Sequence, residues 1–193
     1  MSPDTGELGE IFAQRGSLKR RVAELGHELA SHLAERCDAE RRAPLLISPL
    51  NGGVMFAADL SRALDQPHEL ELVEIVPYAR ARRSGRDRIG HGFTPSLDVA
   101  GRDVVLADGI VDTGLTLKYL IDDVERRKPR SLAVCVLFDR PPARLIDLPL
   151  TFTGFVAPND LLVGYGLDHG GRHAQLADVH VLHAAADHSH LAA

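Results

Sequence analysis

The chain has 193 residues, 45% hydrophobic and 25% charged, which fits a single globular domain with one full-sized core. Its formal net charge of −5 disfavours general binding to nucleic acid, because non-specific affinity there comes mainly from basic residues that neutralise phosphates. No apolar run is long enough to cross a bilayer, no secretory leader is visible, and the two cysteines, Cys37 and Cys135, have no metal or redox spacing, so a reduced, cytoplasmic setting is expected.

Residues 1–16 read as a polar lead-in. Leu18, Val22, Leu25, Leu29 and Leu33 then recur at helical spacing, which predicts an amphipathic helix over 17–36 with Ser17 as N-cap. "APLLISPL" reads as a short buried strand ending at Leu50, "NGG" as a tight turn and "VMFAADLSRAL" as a helix. "ELELVEIVPY" alternates as a second strand. Residues 80–96 carry Arg, Gly, Ser and Pro without apolar periodicity and are expected to form a long mobile loop. "RDVVLAD" is a third strand, 114–127 a helix and "SLAVCVLF" a fourth strand, with Cys135 an inert core residue. From 148 onward short strands separated by Pro and Gly read as a small antiparallel flap, and 184–193 as a disordered tail. His180, His183, His188 and His190 have a spacing that could bind metal, but no Cys or acidic cluster completes a site.

Strands alternating with helices imply an α/β fold, a mainly parallel twisted sheet flanked by helices. Ligands bind beyond the carboxyl ends of such strands, so the turns at Asn51, Asp108 and Arg140 are expected to open on one rim.

The segment "VLADGIVDTGLTL" nearly matches a G-x-x-x-x-G-K-[ST] phosphate loop through Gly109, Gly114 and Thr116, except that Leu115 stands where the lysine belongs. A strand-to-helix turn can hold an anion without lysine, through free N–H groups and the helix dipole, with hydroxyls from Thr113 and Thr116. Asp108 and Asp112 would repel a triphosphate unless they served a metal or a hydroxyl-rich sugar. A sugar monophosphate removes the conflict.

"VVLADGIVDTGLTL" resembles the phosphoribosyl-pyrophosphate motif of the type I phosphoribosyltransferases, in which acidic residues precede a D-T-G turn. The chain is most similar to the hypoxanthine-guanine branch, because "RVAELGHEL", "SPLNGGVMFAADL", "KPRSLAVCVLFDRPPAR" and "GFVAPNDLLVGYGLD" follow in that branch's order and spacing. The resemblance implies transfer of a phosphoribosyl group from phosphoribosyl pyrophosphate to a purine, hypoxanthine or guanine, with Mg2+ and in a homodimer or homotetramer. It implies that Asp112 is the catalytic acid near the purine, acting as general base or steadying the ring proton. Leu50, Asn51, Gly52, Asp108, Gly109, Asp112, Thr113, Gly114, Leu115 and Thr116 would hold phosphoribosyl pyrophosphate. Ile110, Arg140, Leu161, Leu162 and Asp168 would meet the base, and Asp108 and Asp168 the metal. Tyr78, Arg80, Arg82 and Arg83 match the lid that closes over the reactants.

Five positions depart from the family pattern. Gly109 replaces a second ribose-binding acid, Asn51 a basic residue of the pyrophosphate loop, and Arg140 a lysine that donates to the purine's exocyclic oxygen. Leu161 replaces an aromatic that stacks on the base, and Ala174 an arginine that contacts pyrophosphate, with Arg172 two residues away. These changes leave two alternatives beside a purine transferase. One is a phosphoribosyltransferase for a non-standard heterocycle, and the other a regulatory nucleotide- or RNA-binding protein on the same fold.

Overall fold

β2 (Leu45–Leu50) is apolar for three successive residues, and Leu45, Leu46 and Ile47 are all buried. Burial of successive residues requires cover on both faces, the hallmark of a central parallel strand. The computed structural model, which describes residues 6–34, 42–50, 52–75, 91–92 and 97–183, supplies that cover. β2 pairs in parallel with β3 (Glu69–Ile75) on one side and β5 (Asp103–Val111) on the other. β6 (Ser131–Asp139) and β7 (Phe152–Val156) extend the parallel sheet beyond β5. β4 (His91–Gly92) adds an antiparallel edge to β3, giving the order β4-β3-β2-β5-β6-β7.

Side chains alternate across the sheet and split the core in two. Leu46, Val105, Ala107, Ala133 and Cys135 face α1 (Arg15–Ala34) and α2 (Val54–Ala63). Leu45, Ile47, Val104, Leu106, Val134 and Val136 face α3 (Leu115–Arg126), with Leu97 and Val99 completing that layer. The buried stripe of α1 is Leu18, Val22, Leu25, Leu29 and Leu33, as the spacing predicts. Its start differs: the Gln14 carbonyl accepts from Ser17 and Leu18 N–H, so the helix is already under way at Ser17, whose hydroxyl accepts from Arg20 instead.

Two expectations are corrected at the ends of the chain. The polar lead-in contains a strand, β1 (Glu7–Ala13), recruited by antiparallel pairing to β9 (Val179–His183). β8 (Leu161–Val163) completes this three-stranded sheet, so the flap joins both ends of the chain. Phe152–Val156, expected in the flap, is the fifth parallel strand of the main sheet, because it pairs with β6 from Cys135 to Asp139. Of the stretch read as a loop over 80–96, residues 91 and 92 pair with β3, and the remainder lies outside the described residues. So do Cys37, His188 and His190 and the tail. No helix of the described residues is long and apolar enough to cross a membrane.

Candidate active site

β5 runs further than expected, through Asp108, Gly109 and Ile110 to Val111, so Asp108 stands within the strand and not in a turn after it. The reason is continued pairing with β6, Asp108 opposite Val136 and Val111 opposite Asp139. The turn is Asp112-Thr113-Gly114, and Gly114 adopts a φ of +83° at the N-cap of α3. A side chain there would also press on Leu148 and Ile146, at 3.0 and 3.2 Å, so the position favours glycine twice over. No side chain caps the helix, and the Leu115 N–H reaches Thr113 Oγ1 only at 3.4 Å. The first-turn N–H groups and the positive end of the dipole are thus left for an anionic ligand.

A cavity of about 340 Å³ opens at this turn. It is lined from the β2–α2 side by Pro49, Leu50, Gly52 and Gly53, and from the β5–α3 side by Asp108, Ile110, Asp112, Thr113, Gly114 and Thr116. A second cavity of about 180 Å³ adjoins it, walled by Arg140, Leu161, Leu162, Leu167 and Asp168. Gly52, Ile110 and Asp112 line both. One compartment is polar with backbone donors, the other largely aliphatic with charged groups at its rim, and Asp112 stands at their junction. A larger cavity, about 490 Å³, lies between α1, α2 and Tyr165, and none of the sequence-predicted site residues lines it. Size alone does not mark the chemistry here.

Two carboxylates differ sharply in surroundings. Burial pushes the Asp108 carboxyl up to about 7, with the Asp112 charge adding to the effect and the N–H groups of Gly109 and Ile110 offsetting part of it. No cation pairs with Asp108 among the described residues. Asp112 lies 2.9 Å from Arg140 Nη1, and the Arg140 side chain is 15% exposed, held at the end of β6. Its Nε is buried without a hydrogen-bond partner.

The structure therefore brings together Leu50, Gly52, Asp108, Ile110, Asp112, Thr113, Gly114 and Thr116 in one compartment, and Arg140, Leu161, Leu162 and Asp168 in the other. Gly109 and Leu115 line neither; Gly109 packs under Gly52, and the Leu115 side chain is exposed. Arg172, considered as a stand-in for the arginine absent at Ala174, also lines neither. Asn51, Tyr78, Arg80, Arg82 and Arg83 lie outside the described residues. Sequence reasoning missed Pro49, Gly53, Val111 and Leu117 in the first compartment and Leu167 in the second; the double glycine of "NGG" was the available signal for Gly53, and nothing marked the apolar residues.

Among the described residues no three His, Cys, Asp or Glu side chains converge on a metal position. That donor set still fits magnesium, which is bound through one or two carboxylates, waters and substrate phosphates and needs no protein cage. The buried Asp108 carboxyl without a cation beside it is consistent with such an ion arriving with its ligand.

The model of the phosphoribosyl transferase domain matches residues 17–156. Among similar proteins, the hypoxanthine-guanine phosphoribosyltransferase of Mycobacterium avium is 35% identical over 178 residues, 92% of this chain and 87% of that one. The hypoxanthine phosphoribosyltransferase of Salmonella typhimurium is 34% identical over 168 residues, 86% of this chain and 91% of that one. The solved hypoxanthine phosphoribosyltransferase of Trypanosoma cruzi superposes with a TM-score of 0.81 at 28% identity, covering 92% of this chain and 98% of that one. The same enzyme in complex with its product IMP gives 0.79 at 27% identity, covering 95% and 94%. With its doubly covered parallel sheet, its D-T-G turn at the head of α3 and relatives matched over most of their length, the chain belongs to the phosphoribosyltransferases, in the hypoxanthine-guanine branch.

Proposed function

We propose that this protein transfers the phosphoribosyl group of phosphoribosyl pyrophosphate to hypoxanthine or guanine, releasing pyrophosphate and a nucleoside 5'-monophosphate. The observation that carries this reading is the pair of adjoining compartments with Asp112 between them. The polar one suits a sugar phosphate and the aliphatic one a flat heterocycle.

Thr113, Gly114, Thr116 and the Leu115 N–H would cradle the 5-phosphate at the α3 N-terminus, and Asp108 the ribose hydroxyls. A ring nitrogen of the base attacks the anomeric carbon; that carbon–nitrogen bond forms as the carbon–oxygen bond to pyrophosphate breaks, its electron pair leaving with pyrophosphate. Positive charge grows on the sugar, and carboxylates fixed beside it stabilise that charge. Asp112 accepts the proton from the ring nitrogen or steadies it, a role that contributes ~10²- to 10⁴-fold in rate. Arg140 donates to an exocyclic oxygen of the base, so its contact with Asp112 is shared with, or replaced by, the entering base. Leu161, Leu162 and Leu167 supply apolar contact without aromatic stacking. Magnesium, held by Asp108, Asp168 and the substrate's phosphates, would neutralise the leaving group.

Tyr78, Arg80, Arg82 and Arg83 close over the reactants in this reading, where arginine charge would compensate for Asn51 and Ala174. The working form is a homodimer or homotetramer in the cytoplasm. Leu70 and Leu72, each more than a third exposed on one face of β3, are the apolar surface that supports self-association. Pyrophosphate release is to be measured with magnesium, phosphoribosyl pyrophosphate and a panel of bases. Turnover on hypoxanthine or guanine is expected. Turnover confined to another heterocycle would reassign the base, and no turnover together with RNA binding would replace the enzyme by a regulator.

A further inference from the structure

Gly109 occupies the position of the family's second ribose-binding acid, yet it lines neither compartment. A Cβ on Gly109 would lie 2.3 Å from the Gly52 carbonyl oxygen, 3.1 Å from its carbon and 3.5 Å from Gly53 Cα. All three neighbours are backbone, so no flexible side chain can yield. Gly52 in turn lines both compartments and is part of the wall between them.

We infer that Gly109 is a positioning residue that seats the Gly52 peptide against β5 and so fixes the wall dividing the two compartments. The missing carboxylate at 109 is then a steric requirement of this chain's β2–α2 turn. A side chain restored there displaces Gly52 before it can reach a ribose hydroxyl. The ligand named here rests on the transferase reading above, whereas the packing of Gly109 against Gly52 does not.

Gly109→Ala and Gly109→Asp test this by two separate readouts. The first is calorimetric binding of phosphoribosyl pyrophosphate with magnesium. The second is hydrogen exchange of residues 52–57, compared with residues 115–120 of α3, in the ligand-free protein. A displacement of ~1 Å at a substrate-positioning group can cost up to ~10²-fold, so both variants should bind at least ~10-fold more weakly than the parent. Exchange should quicken over 52–57 and stay unchanged over 115–120, and the aspartate should do no better than the alanine. Binding by Gly109→Asp as tight as the parent's, or exchange over 52–57 unchanged in Gly109→Ala, would overturn the inference. Variants that unfold throughout would also overturn it, since they assign Gly109 to core packing. A parent that binds no phosphoribosyl pyrophosphate would refute the transferase reading, and exchange alone would then decide the role of Gly109.

Discussion

Asp108→Asn separates the structural cost of a buried acid from its use in binding. In the ligand-free protein the Asp108 carboxyl is pushed up to about 7 by burial, against 3.8 for an ordinary aspartate. A gap of about 3 pH units at ~1.4 kcal/mol each sets a ceiling of about 4 kcal/mol, and because Asp108 keeps intermediate surface exposure, solvent screening reduces it to about 2 kcal/mol. The folded protein holds this proton more tightly than the unfolded chain. The resulting stability is fully present below pH 4 and is lost as the pH rises through 7. Asparagine has no such titration, so its stability relative to the parent should improve by about 1 kcal/mol between pH 5 and pH 8, or roughly 2–4 °C in melting temperature for a chain of this size. Denaturant unfolding of both proteins in EDTA, without ligand, at the two pH values measures the difference. Parallel stability profiles for parent and variant would refute the claim that the surroundings of Asp108 favour its protonated form.

The remaining predictions concern the same rim and the core beneath it. Asp112→Asn should lower turnover at least ~10-fold with little change in melting temperature, and steady-state kinetics showing the parent rate would remove Asp112 from proton handling. Gly114→Ala should cost ~1–2 kcal/mol by denaturant unfolding and weaken binding of the 5-phosphate, because it imposes the +83° φ on a residue with a Cβ and presses that carbon on Leu148. Burial pushes the Cys135 thiol up to about 12, so in a Cys37→Ser background alkylation at pH 8 should proceed only as fast as the protein opens. Rapid labelling of the native state would contradict the buried position.

Much of this fold was legible because its signals are local. The α1 stripe at Leu18, Val22, Leu25, Leu29 and Leu33, the buried run of β2 and the helix opening at Gly114 each follow from periodicity or turn chemistry within one window. What escaped depends on partners distant in sequence. β1 is a strand only because β9, some 170 residues later, offers it an edge, and Phe152–Val156 looks like any short strand until β6 accepts it in parallel. Asp108 was placed in a turn because the D-T-G signal lies so close to it, while its pairing with Val136 keeps it in the strand. The site's polar residues were readable from motif order. Leu167, an aliphatic wall, carries no chemical signature, and the role of Gly109 emerges only when the Gly52 carbonyl is seen against it.

The departures from the family pattern are coupled by charge. Phosphoribosyl pyrophosphate is a strongly charged anion, and a unit charge ~8 Å away in an effective dielectric of ~20 changes its binding by about 2 kcal/mol. In the transferase reading, the loss of basic residues at Asn51 and Ala174 would weaken the attraction, and the loss of the acid at Gly109 would remove a repulsion of the same order. The cavity at the D-T-G turn keeps one acid, Asp108, with no cation beside it among the described residues, and the second acid, Asp112, lies against Arg140. Restoring one missing charge alone would upset that balance. An arginine returned at position 174 should therefore tighten pyrophosphate more than it speeds turnover, since the product carries the charge that the added cation attracts. Product inhibition constants compared with turnover numbers for Ala174→Arg would show it, and a variant with faster turnover and unchanged pyrophosphate affinity would break the argument.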